Sequence, residues 1–207
     1  EPSRDGHPPA MPSIGGIDID VSPGSTRYLA FLRAINVGGR TVKMADLRDI
    51  IARLDVTSVE TFIASGNVIF DAATTDVRAL EQLIENHLRE TLGYEVDTFV
   101  RTSAELAAIA RHQPFPVMPE SGNGSAMQVA FLHTAPGNDQ TSALLACRTA
   151  TDDIHIHDRE LYWLRSGRMD ESAFTGVTLE KILEAPATMR NWNTIQRMAA
   201  RYCSASL

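Results

Sequence analysis

Residues 28–43 constrain the fold of this chain most strongly, and they read YLAFLRAINVGGRTVK. An apolar run reaches Arg33, Gly38 and Gly39 interrupt it, and apolar residues then recur at helical spacing over 44–54. A short apolar run that is stopped by glycines and followed by helical spacing is typical of a strand, a turn and a helix. The first amide groups of that helix would point into the turn, beside Arg40 and Lys43. The segment therefore predicts an anion site at a helix N-terminus.

Three later features complete a four-stranded unit. The small residues at 65–67 (Ser-Gly-Asn) suit a tight hairpin between two short strands. Asp76 can cap a second helix, Gly93 can end it, and the apolar residues of 94–101 predict a fourth strand. The order βαββαβ is that of the ferredoxin-like split unit, so we predict one such subdomain over 26–101.

The second half of the chain repeats this order of elements. Residues 102–105 (Thr-Ser-Ala-Glu) form a capping box, and a strand, a helix, two strands and a helix follow. The sequence VAFLH at 129–133 resembles LAFLR at 29–33. We therefore predict an α+β fold of two βαββα-type (ferredoxin-like) subdomains with a C-terminal helix. The second subdomain would span 102–207, and the residues 1–25, rich in Pro and Gly, would form a flexible tail.

The predicted topology brings two distant loops to one end of the first sheet. If the first strand runs upward, both the turn at 36–43 and the hairpin at 65–67 lie at its upper end. Glycines there let the backbone approach a ligand, and cationic side chains flank the positive end of the helix. Either loop alone is more often an ordinary tight turn, and the polar residues that converge here favour a site. The candidate ligand-binding residues of this region are Arg33, Asn36, Gly38, Gly39, Arg40, Lys43, Ser65, Gly66 and Asn67.

A polar stretch near the C-terminus, TMRNWNT at 188–194, supplies the remaining candidates. With Thr188 as the N-cap of a helix, Trp192 and the apolar residues after it fall on one face and several arginines on another. We add Arg190, Asn191 and Asn193 to the ligand-binding candidates. The alternative is a terminal helix that docks through its apolar face and leaves its basic face in solvent.

Composition and charge exclude several classes of protein. The formal net charge of −7 makes non-specific coating of nucleic acid unexpected, since that mode needs a broad cationic face. Two cysteines are too few for a disulfide framework, and the sequence contains neither a membrane-spanning apolar run nor a signal peptide. We therefore expect a cytoplasmic protein with no membrane partner. The oligomeric state is left open.

Four motifs, in this order and spacing, resemble one bacterial family. They are RAINVGG at 33–39, KMADLR at 43–48, SGNVIF at 65–70 and TMRNWNT at 188–194. The chain is similar over about 27–202 to the family catalogued as domain of unknown function 1697. Ala34 stands where that family usually has glycine. The resemblance implies an α+β fold of paired βαββα-type subdomains, and it implies no established activity and no catalytic residues.

Several kinds of chemistry are disfavoured by the residues themselves. The glycine turn lacks both the phosphate-loop and the dinucleotide-binding patterns. His155 and His157 alternate onto one strand face, with His133 and Asp158 nearby, but His-x-His alone is a weak signal for a metal. We therefore expect no metal and no cofactor.

Three functions remain for a chain whose sequence identifies no reaction. The first is binding of a small anionic, phosphate-bearing ligand such as a nucleotide. The alternative is a protein–protein or oligomeric interaction module, in which the same loops and Trp192 fix the contact between subdomains or protomers. RNA binding ranks third, because the usual platform stacks bases on exposed sheet aromatics and few are available here.

Overall fold

The computed structural model describes residues 24–36, 38–116, 125–167 and 172–203. The first half of the chain forms four strands and three helices, in the order β1 (Thr26–Leu32), α1 (Met44–Ile51), β2 (Thr57–Phe62), β3 (Asn67–Ala72), α2 (Val77–Leu92), β4 (Thr98–Thr102) and α3 (Ser103–Arg111). The second half repeats that order as β5 (Ala126–Phe131), α4 (Asn138–Leu145), β6 (Asp152–His157), β7 (Glu160–Arg165), α5 (Gly176–Leu183), β8 (Thr188–Asn191) and α6 (Trp192–Tyr202).

Each half builds its own antiparallel sheet. The strand orders are β2-β3-β1-β4 and β6-β7-β5-β8, so the two sheets have the same topology. Both halves follow the βαββαβ connectivity of the ferredoxin-like unit, each with a further helix. The predicted fold class, including the C-terminal helix, is confirmed. The predicted domain limits stay a prediction, and most of the tail at 1–25 lies outside the described residues.

Local signals position several helix ends as the sequence predicts. The Asp76 side chain accepts a hydrogen bond from the amide of Ala79 at 3.0 Å and caps α2. Gly93, with φ of +78°, ends the same helix. Thr102 and Glu105 form the predicted capping box of α3, in which the Glu105 carboxylate accepts from the Thr102 amide at 2.7 Å.

The segment at 188–191 corrects the sequence analysis. Thr188 does not cap a helix, because residues 188–191 form β8 and pair with β5. The N-cap of α6 is Asn191, whose side chain accepts from the amide of Asn193 at 2.9 Å. The edge of β5 offers main-chain hydrogen-bond partners to residues 188–191. These residues therefore pair with β5 as a strand and do not form a further turn of α6.

Both faces of each sheet are buried. One face of the first sheet packs on α1 and α2, and one face of the second packs on α4 and α5. The other two faces meet in a shared core with α3 and α6. β1 and β5 are therefore apolar at almost every position, and their echoed sequences meet where the rings of Phe31 and Phe131 stack at 4.0 Å between centroids.

Candidate functional site

The two predicted loops of the first half lie side by side. The amide of Leu32 donates to the main-chain oxygen of Gly66 at 2.8 Å. Gly66 has φ of +71°, and a Cβ there would lie only 2.7 Å from Cγ2 of Ile35. The glycine is therefore needed for the close packing of the hairpin on the turn.

The turn after β1 is closed by its own side chain. The Asn36 amide group accepts from the amide of Val42 at 2.6 Å and donates to its oxygen at 3.2 Å. Gly38 and Gly39 have φ of +67° and +82°, and a Cβ on either would meet open space. These glycines serve the turn conformation and leave its outer surface accessible.

Two cations of the prediction lie on that exposed turn. The Arg40 guanidinium lies 4.2 Å from the centroid of the Tyr94 ring. Lys43 precedes α1 and makes no side-chain capping hydrogen bond. The N-terminus of α1 therefore has two nearby cations, one acidic residue in its first turn, Asp46, and no side-chain acceptor from its N-cap residue.

Arg33, by contrast, is paired with acidic residues. Its Nε and Nη2 donate to the two carboxylate oxygens of Glu180 in α5, at 2.6 and 2.8 Å, and Asp97 lies 3.5 Å from its Nη1. This bidentate pair raises the pKa of Arg33 and, against the opposing effect of burial, holds the pKa of Glu180 below its usual value. The pair joins the two halves of the chain.

Asn67 and Arg190 form a second, buried joint between the halves. Arg190 donates from Nε to Oδ1 of Asn67 at 2.6 Å and from Nη2 to the oxygen of Leu32 at 2.9 Å. Asn67 in turn donates to the oxygen of Phe62 at 3.1 Å and to Oγ of Ser65 at 2.7 Å. Burial lowers the pKa of Arg190 to about 10, so the guanidinium is charged at neutral pH.

The predicted residues therefore separate into three groups. Asn36, Gly38, Gly39, Arg40 and Lys43 form the exposed turn; Arg33, Asn67 and Arg190 join the halves, with Ser65 and Gly66 in the hairpin beside them; and Asn191 and Asn193 form the cap of α6. A role of any of these residues in ligand binding stays a prediction.

A cleft that the sequence analysis did not identify lies between α3 and the β6–β7 hairpin, and we call it the α3 cleft. Its volume is about 140 Å³. Glu105 and His112 line it from α3 and the residue after it, and His157, Asp158 and Tyr162 line it from the hairpin. The capping box fixes the start of α3, and the alternation of β7 turns Tyr162 inward toward the shared core.

Two buried polar atoms of this cleft are left without partners. Neither Oη of Tyr162 nor Nε2 of His112 has a hydrogen-bond partner among the described residues. The Tyr162 side chain is fully buried, and its ring centroid lies 5.0 Å from that of His112. Leaving such a group unsatisfied costs about 1–3 kcal/mol, so each atom is expected to meet water or a ligand.

Histidines pack together along one wall of the α3 cleft. The His112 ring stacks on His157 at 4.5 Å between centroids and lies 5.2 Å from His155. Burial, followed by His157 and His155, lowers the pKa of His112, and burial, followed by His157 and Arg148, lowers that of His155. Burial also raises the pKa of Tyr162 far above its usual value. The imidazoles of His112 and His155 are therefore neutral and the phenol of Tyr162 is protonated at neutral pH.

Charged pairs border the cleft. The Arg159 guanidinium donates to Glu105 at 2.7 Å, and Arg101 donates to Glu160 at 2.7 Å. Burial raises the pKa of Glu160 despite the opposing Arg101. Asp158, exposed at the tip of the hairpin, has no salt-bridge partner among the described residues.

The histidines do not assemble a metal site within the described ranges, where no group of three His, Cys, Asp or Glu side chains is placed to hold an ion. His133 lies apart from the α3 cleft in its contacts, since its ring stacks on Phe99 at 4.2 Å and its Nδ1 lies 3.1 Å from Glu81. The expected absence of a metal stays a prediction.

Sequence analysis missed His112 and Tyr162 because nothing local marks them. His112 ends a short helix before a proline-rich loop, and Tyr162 reads as an ordinary inward residue of an amphipathic strand. The inward position of Tyr162 could have been found from the alternation of the hairpin. Whether the polar atoms of His112 and Tyr162 find hydrogen-bond partners depends on how the two halves pack. The sequence pattern gives no information on that packing.

Comparison with known proteins gives a family and a fold. A family model described as "Protein of unknown function (DUF1697)" matches residues 25–162. The conserved bacterial protein SP0830 from Streptococcus pneumoniae has a similar structure, with a TM-score of 0.64 and 21% sequence identity over 86% of this chain and 98% of that one. No curated protein sequence matches the chain. In the described part of the chain, no helix has the length and apolarity that crossing a membrane requires.

Proposed function

We propose, for a chain that belongs to the DUF1697 family of proteins of unknown function, that it binds a small molecule in the α3 cleft. One observation carries the proposal: Tyr162 and His112 line one cleft, and each has a buried polar atom, Oη and Nε2, that has no hydrogen-bond partner among the described residues. Binding sites typically combine apolar walls with a few such convergent polar groups. Ala108 and Ile109 supply the apolar wall here.

The free energy of the two unpartnered groups supports binding over mere packing. A ligand that hydrogen-bonds to both removes two unsatisfied interactions, each of about 1–3 kcal/mol. A cleft filled only with water leaves less to gain, because the water already bonds to the protein. A ligand that displaces such water must therefore reproduce its hydrogen bonds, which makes the site selective.

A test uses the hydroxyl of Tyr162. A set of small anionic, neutral and cationic compounds is screened by shifts of the melting temperature, and binders are measured by calorimetry. Tyr162→Phe should weaken the binding of any compound that occupies the α3 cleft by about 5- to 100-fold, which corresponds to one lost hydrogen bond.

The matched control is Tyr28→Phe. Tyr28 is equally buried, lies outside the cleft, and donates from its hydroxyl to the oxygen of Thr74 at 2.6 Å. This substitution should destabilise the free protein and leave the affinity unchanged. Binding that is insensitive to Tyr162→Phe, or equally sensitive to both substitutions, would place the ligand elsewhere.

The exposed turn at 36–43 is a second candidate, for the anionic ligand that the sequence predicts. The uncapped start of α1, with Lys43 before it and Arg40 on the same turn, favours it. Inorganic phosphate and a nucleotide are the probes. Lys43→Ala should weaken their binding, whereas Arg48→Ala, which removes an exposed arginine paired with Asp49, should not.

A further inference from the structure

We infer, on the premise that the α3 cleft binds a small molecule, that the ligand is an organic ammonium ion such as a primary amine. Three features of the cleft point to this class: the acceptors that lack partners, the excess of carboxylates, and the apolar wall beside them. Each belongs to a different set of side chains.

The unpartnered atoms can both accept hydrogen bonds. A neutral imidazole has one unprotonated nitrogen, and an ammonium donor selects the tautomer in which Nε2 of His112 is that nitrogen. The hydroxyl oxygen of Tyr162 has lone pairs that are unused among the described residues. Since an ammonium group carries three N–H donors and no acceptor, it can satisfy both atoms and still bond to a carboxylate.

The charges around the cleft favour a cation. Glu105 is paired with Arg159 and Glu160 with Arg101, each at 2.7 Å, which leaves the carboxylate of Asp158 unpaired among described side chains. His112 and His155 add no positive charge at neutral pH, because burial and the neighbouring His157 lower the pKa of both. An anion would meet one unpaired carboxylate, whereas an ammonium ion would neutralise it.

The size and the walls of the cleft limit the rest of the ligand. A cleft of about 140 Å³ suits a small organic group. Ala108 and Ile109 offer aliphatic contact on the α3 side, and His157 and Tyr162 line the cleft from the hairpin. A short apolar chain or a single ring attached to the ammonium group fits this lining.

The experiment compares three probes of one shape and different charge: benzylamine, benzyl alcohol and benzoate. Calorimetry near neutral pH should show benzylamine binding about 10-fold or more tightly than benzyl alcohol, as one charge-assisted hydrogen bond implies, and no binding of benzoate. Tyr162→Phe should weaken the binding of benzylamine.

Asp158→Asn tests the charge alone. Asp158 has φ of +52°, a conformation that asparagine tolerates, so the hairpin is preserved. The substitution should weaken benzylamine about 3- to 10-fold, within the range of a partly exposed ion pair, and leave benzyl alcohol unchanged. Asp55→Asn, which removes an exposed carboxylate outside the cleft, is the matched control and should change neither.

The outcomes separate this inference from the proposed function. If benzyl alcohol or benzoate binds as tightly as benzylamine and Tyr162→Phe weakens that binding, the cleft binds ligands but does not select a cation, and only the inference is overturned. If none of the three probes binds, the inference is overturned and the proposed function is decided by the wider screen described above. If binding is indifferent to Tyr162→Phe, both are overturned. Binding of benzylamine that Asp158→Asn leaves unchanged contradicts the role of the unpaired carboxylate.

Discussion

The two halves of this molecule hold a buried arginine at the same place and surround it differently. Arg101 in β4 donates to the oxygen of Leu132 at 2.8 Å, and Arg190 in β8 donates to that of Leu32 at 2.9 Å. Nε of Arg101 bonds to a carboxylate, whereas Nε of Arg190 bonds to the neutral amide of Asn67. The same topology therefore buries two charged arginines, of which Arg101 bonds to a counter-ion and Arg190 to neutral groups.

The helices that follow these two strands differ in a related way. At the end of α6, the Tyr202 hydroxyl donates to Glu60 at 3.1 Å, and its ring packs edge-on against Phe62 at 6.0 Å. In the corresponding contact at the end of α3, His112 and Tyr162 have polar atoms that find no partner in the described ranges. Both helices therefore pack in the same way on the repeated fold. The two contacts differ in their polar groups, which are hydrogen-bonded at the end of α6 and unsatisfied at the end of α3.

Replacing each arginine by methionine should give the largest effects and test the role of the counter-ion. Arg101→Met should lower the free energy of unfolding by about 3–5 kcal/mol, because Glu160 is left buried and unpaired. Arg190→Met should lower it by about 1–3 kcal/mol, because it leaves only neutral acceptors without donors. Urea denaturation measures both values.

Both variants lose a hydrogen bond to the end of a central strand, so their difference isolates the carboxylate. Arg48→Met, at an exposed position, controls for the substitution itself and should change stability little. Equal losses for the two buried arginines would contradict the comparison, since the counter-ion would then contribute nothing.

The two tyrosines sharpen the comparison of α3 with α6. Tyr202→Phe should lower the free energy of unfolding by about 1 kcal/mol, because it removes a hydrogen bond to Glu60. Tyr162→Phe should leave it unchanged or raise it, because the hydroxyl that it removes is buried without a partner in the part of the chain that the structure describes. Chemical denaturation of the unliganded protein measures this. A loss at Tyr162 as large as that at Tyr202 would mean that its hydroxyl is well satisfied, and the α3 cleft would lose its distinguishing feature.

Arg33 tests whether the predicted anion residues hold the halves together. Its pair with Glu180 is partly exposed, so Arg33→Ala should lower the free energy of unfolding by only about 0.5–1 kcal/mol. Lys43→Ala, on the exposed turn, should not change it. If Arg33→Ala weakens phosphate binding without changing stability, the anion-binding interpretation of Arg33 gains over the structural one.

The sequence predicted what short-range signals determine. Asp76, Gly93 and the box from Thr102 to Glu105 each act within a few residues, and the structure shows all of them in place. Thr188 was misassigned because its conformation depends on pairing with β5, which lies about 60 residues earlier in the chain and is outside the reach of helix-capping rules.

The candidate site was less predictable for the same physical reason. Arg33 and Asn67 were correctly recognised as polar residues at one end of a sheet, but their partners lie 147 and 123 residues away, in Glu180 and Arg190. Such pairing decides whether a cation is free for a ligand. The unpartnered state of Tyr162 depends on every neighbour at once, so it emerges only from the packed molecule.

The smallest effect that we predict is a pH dependence of folding stability. It arises from the histidines at the α3 cleft, which lie at the end of α3 and on the edge strand β6. The pKa of His112 and of His155 is lowered from 6.5, chiefly by burial and then by His157. Below about pH 6.5 the unfolded chain therefore binds more protons than the folded one, so stability is complete above that pH and is lost as the pH falls through the lowered values.

Urea denaturation at about pH 7 and about pH 5 should show a smaller loss of stability for His112→Gln than for the unaltered protein. Carboxylates whose pKa is raised by burial, such as Glu160, act in the opposite sense but are present in both proteins, so the difference between the two proteins reports on the histidine. An identical loss in both would show that His112 takes no part in the acid response.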